Sequence, residues 1–283
     1  MRTLLPALAV FVLAPPLVAQ TTFFANNFNR SSVNTGGPTS YTINPTSGSS
    51  VSISSGVLQM GSSTSGRDSI SASTSSYGTV GGVGYNPVLS GNTQIIVWSF
   101  NMRQSRSDPS GFDSGSAGQA VAIAGSSTTL TTGTGYAVVI GQSGTTDPIR
   151  LVSYSSGLSA DSNLTNVAVA TGSGADPGAA FLSVRVTYVP SSNTFSLATR
   201  DDFGSFADPQ SGTYADVVSA VDGTYVGSSL SAFGLLWNHG AAGTDIARFD
   251  NFTVAPVPEP ATLLAVAAAG LGGLRLRRRL ARA

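Results

Sequence analysis

Apolar and polar side chains alternate along many short segments of the chain. In segment 95–102 the alternating apolar positions are Ile96, Trp98, Phe100 and Met102. This period of two predicts a half-buried strand, with Trp98 in the core. Two further alternating runs, 182–188 and 195–199, flank the turn-forming residues 190–193. Together they predict a β-hairpin over 181–200.

Short β-rich runs of this kind continue from Thr21 to Ala255, and helical periodicity nowhere extends beyond a turn or two. Further strands are predicted at Val51–Met60, Ala120–Ala124, Tyr136–Ile140, Ile149–Tyr154, Ala232–Trp237 and Arg248–Val254. About ten to thirteen strands suit one sandwich domain. We therefore expect an all-β, antiparallel β-sandwich over 20–256. Within it, the Ser- and Gly-rich segment 29–93 predicts edge strands or long loops.

The composition fits an ordered all-β protein and excludes several chemistries. Of 283 residues, 33 are Gly, 41% are hydrophobic and only 10% are charged, unlike a disordered chain. The absence of Cys excludes disulfides and a thiol nucleophile. The formal net charge of zero hides an asymmetry, because 21–256 holds eight Arg against 13 Asp, a net charge of −5. Such an acidic body argues against nucleic acid as a partner.

The N-terminus has the parts of a secretory signal peptide. Met1-Arg2 supplies a positive charge, 3–18 is a short apolar core, and Ala19 is the small residue after which we expect cleavage. Residues 1–19 therefore predict export by the Sec machinery. The alternative is an uncleaved anchor helix, which the short core disfavours because about 20 apolar residues are needed to span a bilayer.

The C-terminus combines a proline–glutamate motif, a short apolar segment and a basic tail. Val257-Pro258-Glu259-Pro260 precedes the apolar segment 261–274. A helix of that length reaches roughly 21 Å, and flanking arginines can snorkel, so it predicts a short transmembrane helix. The positive-inside rule then leaves the body outside the inner membrane. The basic residues of the tail are Arg275, Arg277, Arg278, Arg279 and Arg282.

This order of parts over 257–283 closely resembles the PEP-CTERM sorting signal of Gram-negative bacteria. The resemblance implies recognition by an exosortase, a transpeptidase-like membrane enzyme that cuts near Pro258-Glu259-Pro260. The mature protein would then be released or attached at the cell surface. The resemblance also implies an association with exopolysaccharide and biofilm. The alternative is an ordinary tail anchor in which the prolines only end a helix.

Three motifs of the body resemble those of concanavalin A-like and laminin-G-like jelly rolls. They are the Gly-Tyr strand at 135–141, the Val-x-Val-x-Tyr pattern at 184–188 and the closing Phe-Asp-Asn-Phe-x-Val strand at 249–254. The resemblance spans 95–254 and implies two packed antiparallel sheets. Another jelly roll or an immunoglobulin-like sandwich is the alternative.

Catalytic chemistry finds little support among these residues. A retaining glycosidase needs two carboxylates about 5 Å apart, yet Glu259 is the only Glu and lies in the tail. Adjacent Asp201 and Asp202 would point to opposite faces of a strand. The only His, His239, is predicted to be a loop residue beside Trp237, with neither a nucleophile motif nor partners for zinc. We expect no enzymatic activity.

Calcium and sugars remain open as ligands, and no other cofactor is expected. Calcium takes Asp, Asn and backbone oxygens from loops, although the same residues often form turns. Sugar stacking needs exposed aromatic rings. The candidates for calcium are Asp201, Asp202, Asp208, Asp245, Asp250 and Asn251; those for sugar are Trp237, Tyr154, Tyr214 and Tyr225.

Together these features predict an exported, non-enzymatic surface protein that is sorted through its C-terminus and associated with exopolysaccharide. The first alternative is a lectin-like carbohydrate-binding module on the same fold, which an exposed Trp or Tyr in a loop-rimmed groove would favour. An exported glycoside hydrolase is the least favoured, because it would require two convergent Asp carboxylates in a cleft.

Overall fold

The alternating segments form antiparallel strands in the computed structural model, which describes residues 22–62, 64–240 and 245–257. Within these residues there are 17 strands and four 3-10 helices, at Thr74–Ser76, Leu89–Gly91, Asp161–Asn163 and Gly172–Gly174. The strands are β1 Phe24–Asn26, β2 Thr42–Asn44, β3 Ser49–Ser54, β4 Val57–Ser62, β5 Gly66–Ser73, β6 Thr79–Val80, β7 Val83–Gly84, β8 Ile95–Arg103, β9 Gly118–Gly125, β10 Gly135–Ile140, β11 Arg150–Tyr154, β12 Leu164–Val169, β13 Leu182–Val189, β14 Thr194–Asp201, β15 Asp216–Val221, β16 Ala232–His239 and β17 Ile246–Val257.

Two large sheets contain most of these strands. In the eight-stranded sheet the order is β15-β14-β13-β8-β17-β4-β3, and β1 also pairs with β17. In the seven-stranded sheet the order is β12-β11-β10-β9-β16-β5-β2. Consecutive strands such as β8 and β9, or β16 and β17, lie in different sheets. This alternation between two packed antiparallel sheets is the connectivity of a jelly roll.

The main core lies between the two sheets. From β8, the side chains of Trp98 and Phe100 point inward and are at most 1% exposed. Phe233 of β16 stacks on Phe252 of β17, with ring centroids 5.4 Å apart and ring planes 6° from parallel. Apolar side chains from both inner faces therefore meet, and their removal from water stabilises the sandwich. The predicted burial of Trp98 is confirmed.

A second, smaller core covers the outer face of the seven-stranded sheet. Ala122 of β9 and Leu236 of β16 point away from the main core and pack with Phe112, Leu130 and Leu158 from the connecting loops. Every residue of β9, β10 and β11 is buried as a result. The loops thus close this face of the sheet to ligands at these positions.

The prediction of a single strand at Val51–Met60 is wrong, because this segment forms a hairpin of two strands. The chain turns at Ser55-Gly56, with φ of 52° and 76°, between the end of β3 and the start of β4. Positive φ at both central residues is what a type I′ turn requires. Elsewhere the predicted strands are confirmed, although β16 continues to His239 and β17 to Val257.

The predicted signal peptide 1–19 and the segment 258–283 lie outside the described residues. Val257, the first residue of the predicted sorting motif, is the last residue of β17. Among the residues that the structure describes, no helix is long and apolar enough to cross a membrane.

Candidate functional site

A groove of about 470 Å³ lies on the outer face of the eight-stranded sheet. Its floor comes from β4 and β17, where Leu58 and Phe249 are buried in the main core and the residues beside them point outward. The β3–β4 turn and the loops flanking β13 and β14 form its walls. We call it the aromatic groove; it is lined by Ser54, Ser55, Val57, Gln59, Phe181, Ser205, Phe206, Arg248 and Asp250.

Two phenylalanines form the aromatic wall of this groove. Phe181 directly precedes β13, and Phe206 lies in the loop that follows β14. Their ring centroids are 5.0 Å apart with an interplanar angle of 78°, an edge-to-face contact. Both side chains are half-buried, so part of each ring faces the groove. The wall therefore offers apolar surface to the flat face of a ligand.

Asp202 holds the loop that carries Phe206 against the sheet. Its side chain is fully buried, and its Oδ1 accepts a hydrogen bond from Nε of Arg200 at 2.8 Å. Its Oδ2 accepts from Oγ of Ser183 at 2.7 Å and from the backbone N–H of Ala207 at 3.0 Å. Charge-assisted bonds of this kind are among the stronger ones in proteins. One carboxylate thus joins β13, β14 and the loop backbone.

Phe203 lies in the same loop and is the most solvent-exposed large apolar residue of the described chain, at 87%. Its backbone adopts a φ of 63°. Its N–H donates to Oδ1 of Asp201 at 2.7 Å, which stabilises the turn. This turn leaves an aromatic ring in solvent three residues before Phe206.

Two arginines lie side by side in this region of the sheet. Arg103 of β8 and Arg248 of β17 are direct partners across the two strands. The Cζ of Arg103 lies 4.5 Å from the ring centroid of Phe181, and its Nε donates to the carbonyl oxygen of Ala179 at 2.9 Å. Burial, and after it the charge of Arg248, lowers the pKa of Arg103. Like charges opposite each other weaken a strand pair.

Asp250 is the acidic side chain of the aromatic groove. It lies where the register of β17 shifts, and Asn251 next to it has a φ of 51°. Oδ1 of Asp250 accepts from the N–H of Asn251 at 2.8 Å, as expected for a carboxylate that caps a backbone donor. Burial nevertheless raises the pKa of Asp250 to about 6. The carboxyl therefore titrates in the weakly acidic range.

The four aromatic residues predicted to stack on sugars are not brought together. Trp237 and Tyr154 are 2% and 1% exposed and belong to the main core and the smaller core respectively. Tyr214 is half-buried between two arginine side chains, and Tyr225 lies against another tyrosine ring. None of the four lines the aromatic groove. The prediction for Trp237 and Tyr154 is wrong because their strands are covered on both faces.

Five of the six predicted calcium ligands, the aspartates, accept hydrogen bonds from donors of the protein, whereas the side-chain amide of the sixth, Asn251, donates to Oδ1 of Asn101 at 2.8 Å. Asp201, Asp202 and Asp250 accept the hydrogen bonds given above, and Asp208 accepts from a backbone N–H at 2.8 Å. Asp245 forms an ion pair with an arginine. Among the described residues, no group of three or more acidic, His or Cys side chains is placed to hold a metal ion.

His239 is not the loop residue that was predicted. It ends β16, is 1% exposed, and its ring lies 4.5 Å from that of Trp237. Its Nδ1 lies 2.6 Å from the carbonyl oxygen of Thr64, so this nitrogen carries the proton of the bond. Its Nε2 lies 3.4 Å from Oδ2 of Asp68. The imidazole thus joins two strand ends inside the fold.

The residues that line the aromatic groove were not predicted, apart from Asp250. One sequence feature indicated exposed aromatic rings in this region. Phe203 and Phe206 lie among Gly, Ser and Asp residues that show no pattern of a buried strand. The pairing of Arg103 with Arg248 left no such signal, since the two positions are far apart in the chain and meet only through strand register.

The strand order and two-sheet packing define a jelly roll. The carbohydrate recognition domain of Emp47p is similar at a TM-score of 0.53 and 10% identity, over 84% of this chain and 96% of that one. A legume lectin-like domain from Entamoeba histolytica has a TM-score of 0.47 and 9% identity, over 77% and 90%. Peanut lectin with a 9-residue peptide has a TM-score of 0.46 and 16% identity, over 83% and 98%.

The likeness to the Emp47p domain is one of fold alone, and it confirms the predicted jelly-roll sandwich of antiparallel sheets. No protein-family model and no curated protein matches the chain.

Proposed function

We propose that this chain is an exported surface protein whose β-sandwich binds carbohydrate without catalysing a reaction on it. The observation that carries the proposal is the aromatic groove, where the rings of Phe181 and Phe206 stand beside hydrogen-bonding groups of Gln59 and Arg248. A sugar has an apolar ring face and a polar rim of hydroxyls. A groove with an aromatic wall and a few polar groups suits that combination.

The fold supports the same proposal, because similar solved structures carry names that describe carbohydrate recognition and lectins. The groove supports a binding role over hydrolysis. Asp250 is the only carboxyl group among its lining residues, whereas glycoside hydrolysis by the usual routes uses two.

The terminal segments supply the rest of the proposal. Residues 1–19 direct export through the Sec machinery, and 257–283 are recognised by an exosortase at the inner membrane. The sandwich is then released or held at the cell surface, where exopolysaccharide is the carbohydrate that surrounds it.

Binding of the full-length chain to a panel of bacterial exopolysaccharides, by affinity electrophoresis, tests the proposal. We expect Phe206→Ala to weaken binding about tenfold, because burying part of one aromatic ring is worth about 1.5 kcal/mol. Phe206→Tyr keeps the ring and should bind as the unmodified chain does.

Val221→Ser provides the matched control. Val221 is an apolar side chain on β15 that is 74% exposed and lies outside the aromatic groove, so this change should leave binding unaltered. The proposal fails if no polysaccharide of the panel binds, or if Phe206→Ala binds as tightly as the unmodified chain.

A further inference from the structure

The guanidinium groups of Arg103 and Arg248 have no acidic partner in the described part of the chain. The arginines that form ion pairs there are Arg106 and Arg200. The Nε of Arg248 is buried without a hydrogen-bond acceptor. The bond of Arg103 to a protein acceptor runs through its Nε alone, to a backbone carbonyl. No hydrogen bond among the described residues uses the terminal nitrogens of either guanidinium, and Arg248 lines the aromatic groove with Arg103 directly beside it.

The position of the two arginines is unfavourable as long as the aromatic groove is empty. They are direct partners on neighbouring strands, and both are half-buried. Two like charges opposite each other cost stability, and partial burial removes water that would screen them. A bound anion offsets the repulsion between the two arginines, because both guanidinium groups are attracted to it. Each planar guanidinium can donate two parallel hydrogen bonds to such an anion.

Asp250 does not neutralise this pair. It lies two positions after Arg248 on the same face of β17, yet it forms no ion pair with Arg248 in the described structure. Its own buried position favours the protonated form up to pH values near 6. Above this pH the ionised carboxylate offsets at most one of the two positive charges, so the three side chains together keep a net positive charge.

The rest of the sandwich would repel an anionic polymer. Segment 21–256 has a net charge of −5, whereas Arg103 and Arg248 place two positive charges side by side on neighbouring strands. An acidic polysaccharide is therefore attracted to this groove and not to the surface in general. The aromatic wall lies next to the charges, since Arg103 packs on the ring of Phe181.

We propose that the aromatic groove recognises an acidic sugar, whose carboxylate or sulfate group is bound by Arg103 and Arg248 while its ring packs on Phe181 and Phe206. This inference rests on the proposed carbohydrate-binding function and narrows it to one class of polysaccharide.

The test compares polymers that differ only in their anionic groups. The full-length chain is titrated with polygalacturonate and its methyl ester, and with dextran sulfate and dextran. We expect the acidic member of at least one pair to bind about tenfold more tightly, the gain typical of one charge-assisted bond. The two pairs distinguish a carboxylated sugar from a sulfated one. This comparison needs no variant.

Substitutions of single arginines then test whether the preference for the acidic polymer arises in the aromatic groove. Arg248→Gln should lose about tenfold in affinity for the acidic polymer and little for the neutral one, whereas Arg248→Lys should keep part of it. Arg106→Gln is the matched control, because it removes the same charge from an arginine that already has an acidic partner.

Equal affinity for the acidic and neutral members of both pairs overturns the inference but leaves the proposed function standing. A loss in Arg106→Gln as large as that in Arg248→Gln also overturns it, since only general charge would then matter. Failure of all four polymers and of the exopolysaccharide panel removes the proposed function as well.

Discussion

At the scale of single residues, the protonation of Asp250 in the aromatic groove makes the stability of the fold depend on pH. Its pKa in the folded chain is about 6, against an ordinary value of 3.8, because burial disfavours the charged form. A raised pKa means that the folded state holds the proton more tightly than the unfolded state. Its contribution to stability is therefore complete below about pH 4 and is lost as the pH rises through 6. Asp147, also with a pKa of about 6, acts in the same direction.

We expect Asp250→Asn to remove part of this pH dependence. The free energy of unfolding of the variant should exceed that of the unmodified chain by about 1 kcal/mol above pH 6, after allowance for solvent screening, with no such gain near pH 4. Urea unfolding from pH 4 to 7 measures the difference. Val221→Ser, at an exposed position without a titratable group, should leave the pH profile unchanged. A constant difference between Asp250→Asn and the unmodified chain at all pH values would contradict the assignment.

At the scale of elements, alternation located strand centres better than strand ends. The apolar positions Val51, Ile53 and Met60 fall in one predicted strand, and the Ser-Gly pair between them marks a turn that alternation alone does not detect. The end of β17 depends on pairing with β8, where Val257 faces Ile95, and no local pattern determines it. The sequence predicts calcium ligands in the loop after β14. In the structure, the Asp202 carboxylate of this loop instead accepts hydrogen bonds from β13, β14 and the loop backbone, and these partners come together only when the sheet has formed.

The Asp202 carboxylate holds the loop after β14 against the sheet, and a substitution of this residue tests that contact. Asp202→Ala should lower the free energy of unfolding by about 3 kcal/mol, because it leaves the partly buried guanidinium of Arg200 and other donors without their buried acceptor. Thermal unfolding measures this loss. Asp201→Ala, at the adjacent position with one exposed hydrogen bond, should cost about 1 kcal/mol or less. Equal losses in the two variants would show that the Asp202 carboxylate does not anchor the loop.

At the scale of the whole molecule, the sequence supported the fold class more firmly than the site. Composition and alternation depend on every strand, so errors at single turns do not change the prediction of an antiparallel sandwich. The aromatic groove instead depends on the turn at Ser55, on Phe181, on Phe206 and on Arg248, which come from distant parts of the chain. Their meeting follows from strand order, which alternation does not encode.

The sorting hypothesis concerns the molecule as a whole and has its own test. Intact-mass analysis of the protein from the envelope and the medium of the producing cells should show a chain that lacks residues 1–19 and ends near Glu259. Such a mass is expected if signal peptidase and an exosortase both act. A chain that still ends at Ala283 would instead indicate a domain anchored in the inner membrane and would remove the main support for a surface role.

The position of β17 has a mechanical consequence. The strand passes the aromatic groove near its start, at Arg248 and Asp250, and ends at Val257, roughly 30 Å from Arg248. It pairs with β8 on one side and with β4 and β1 on the other. If the chain is tethered through its C-terminal side, tension from a polymer held in the groove runs along this strand. The hydrogen bonds between β17 and its neighbours are perpendicular to this force, so they are loaded together in shear. The domain would therefore resist a pulling force better than a domain whose terminal strand is peeled off one hydrogen bond at a time.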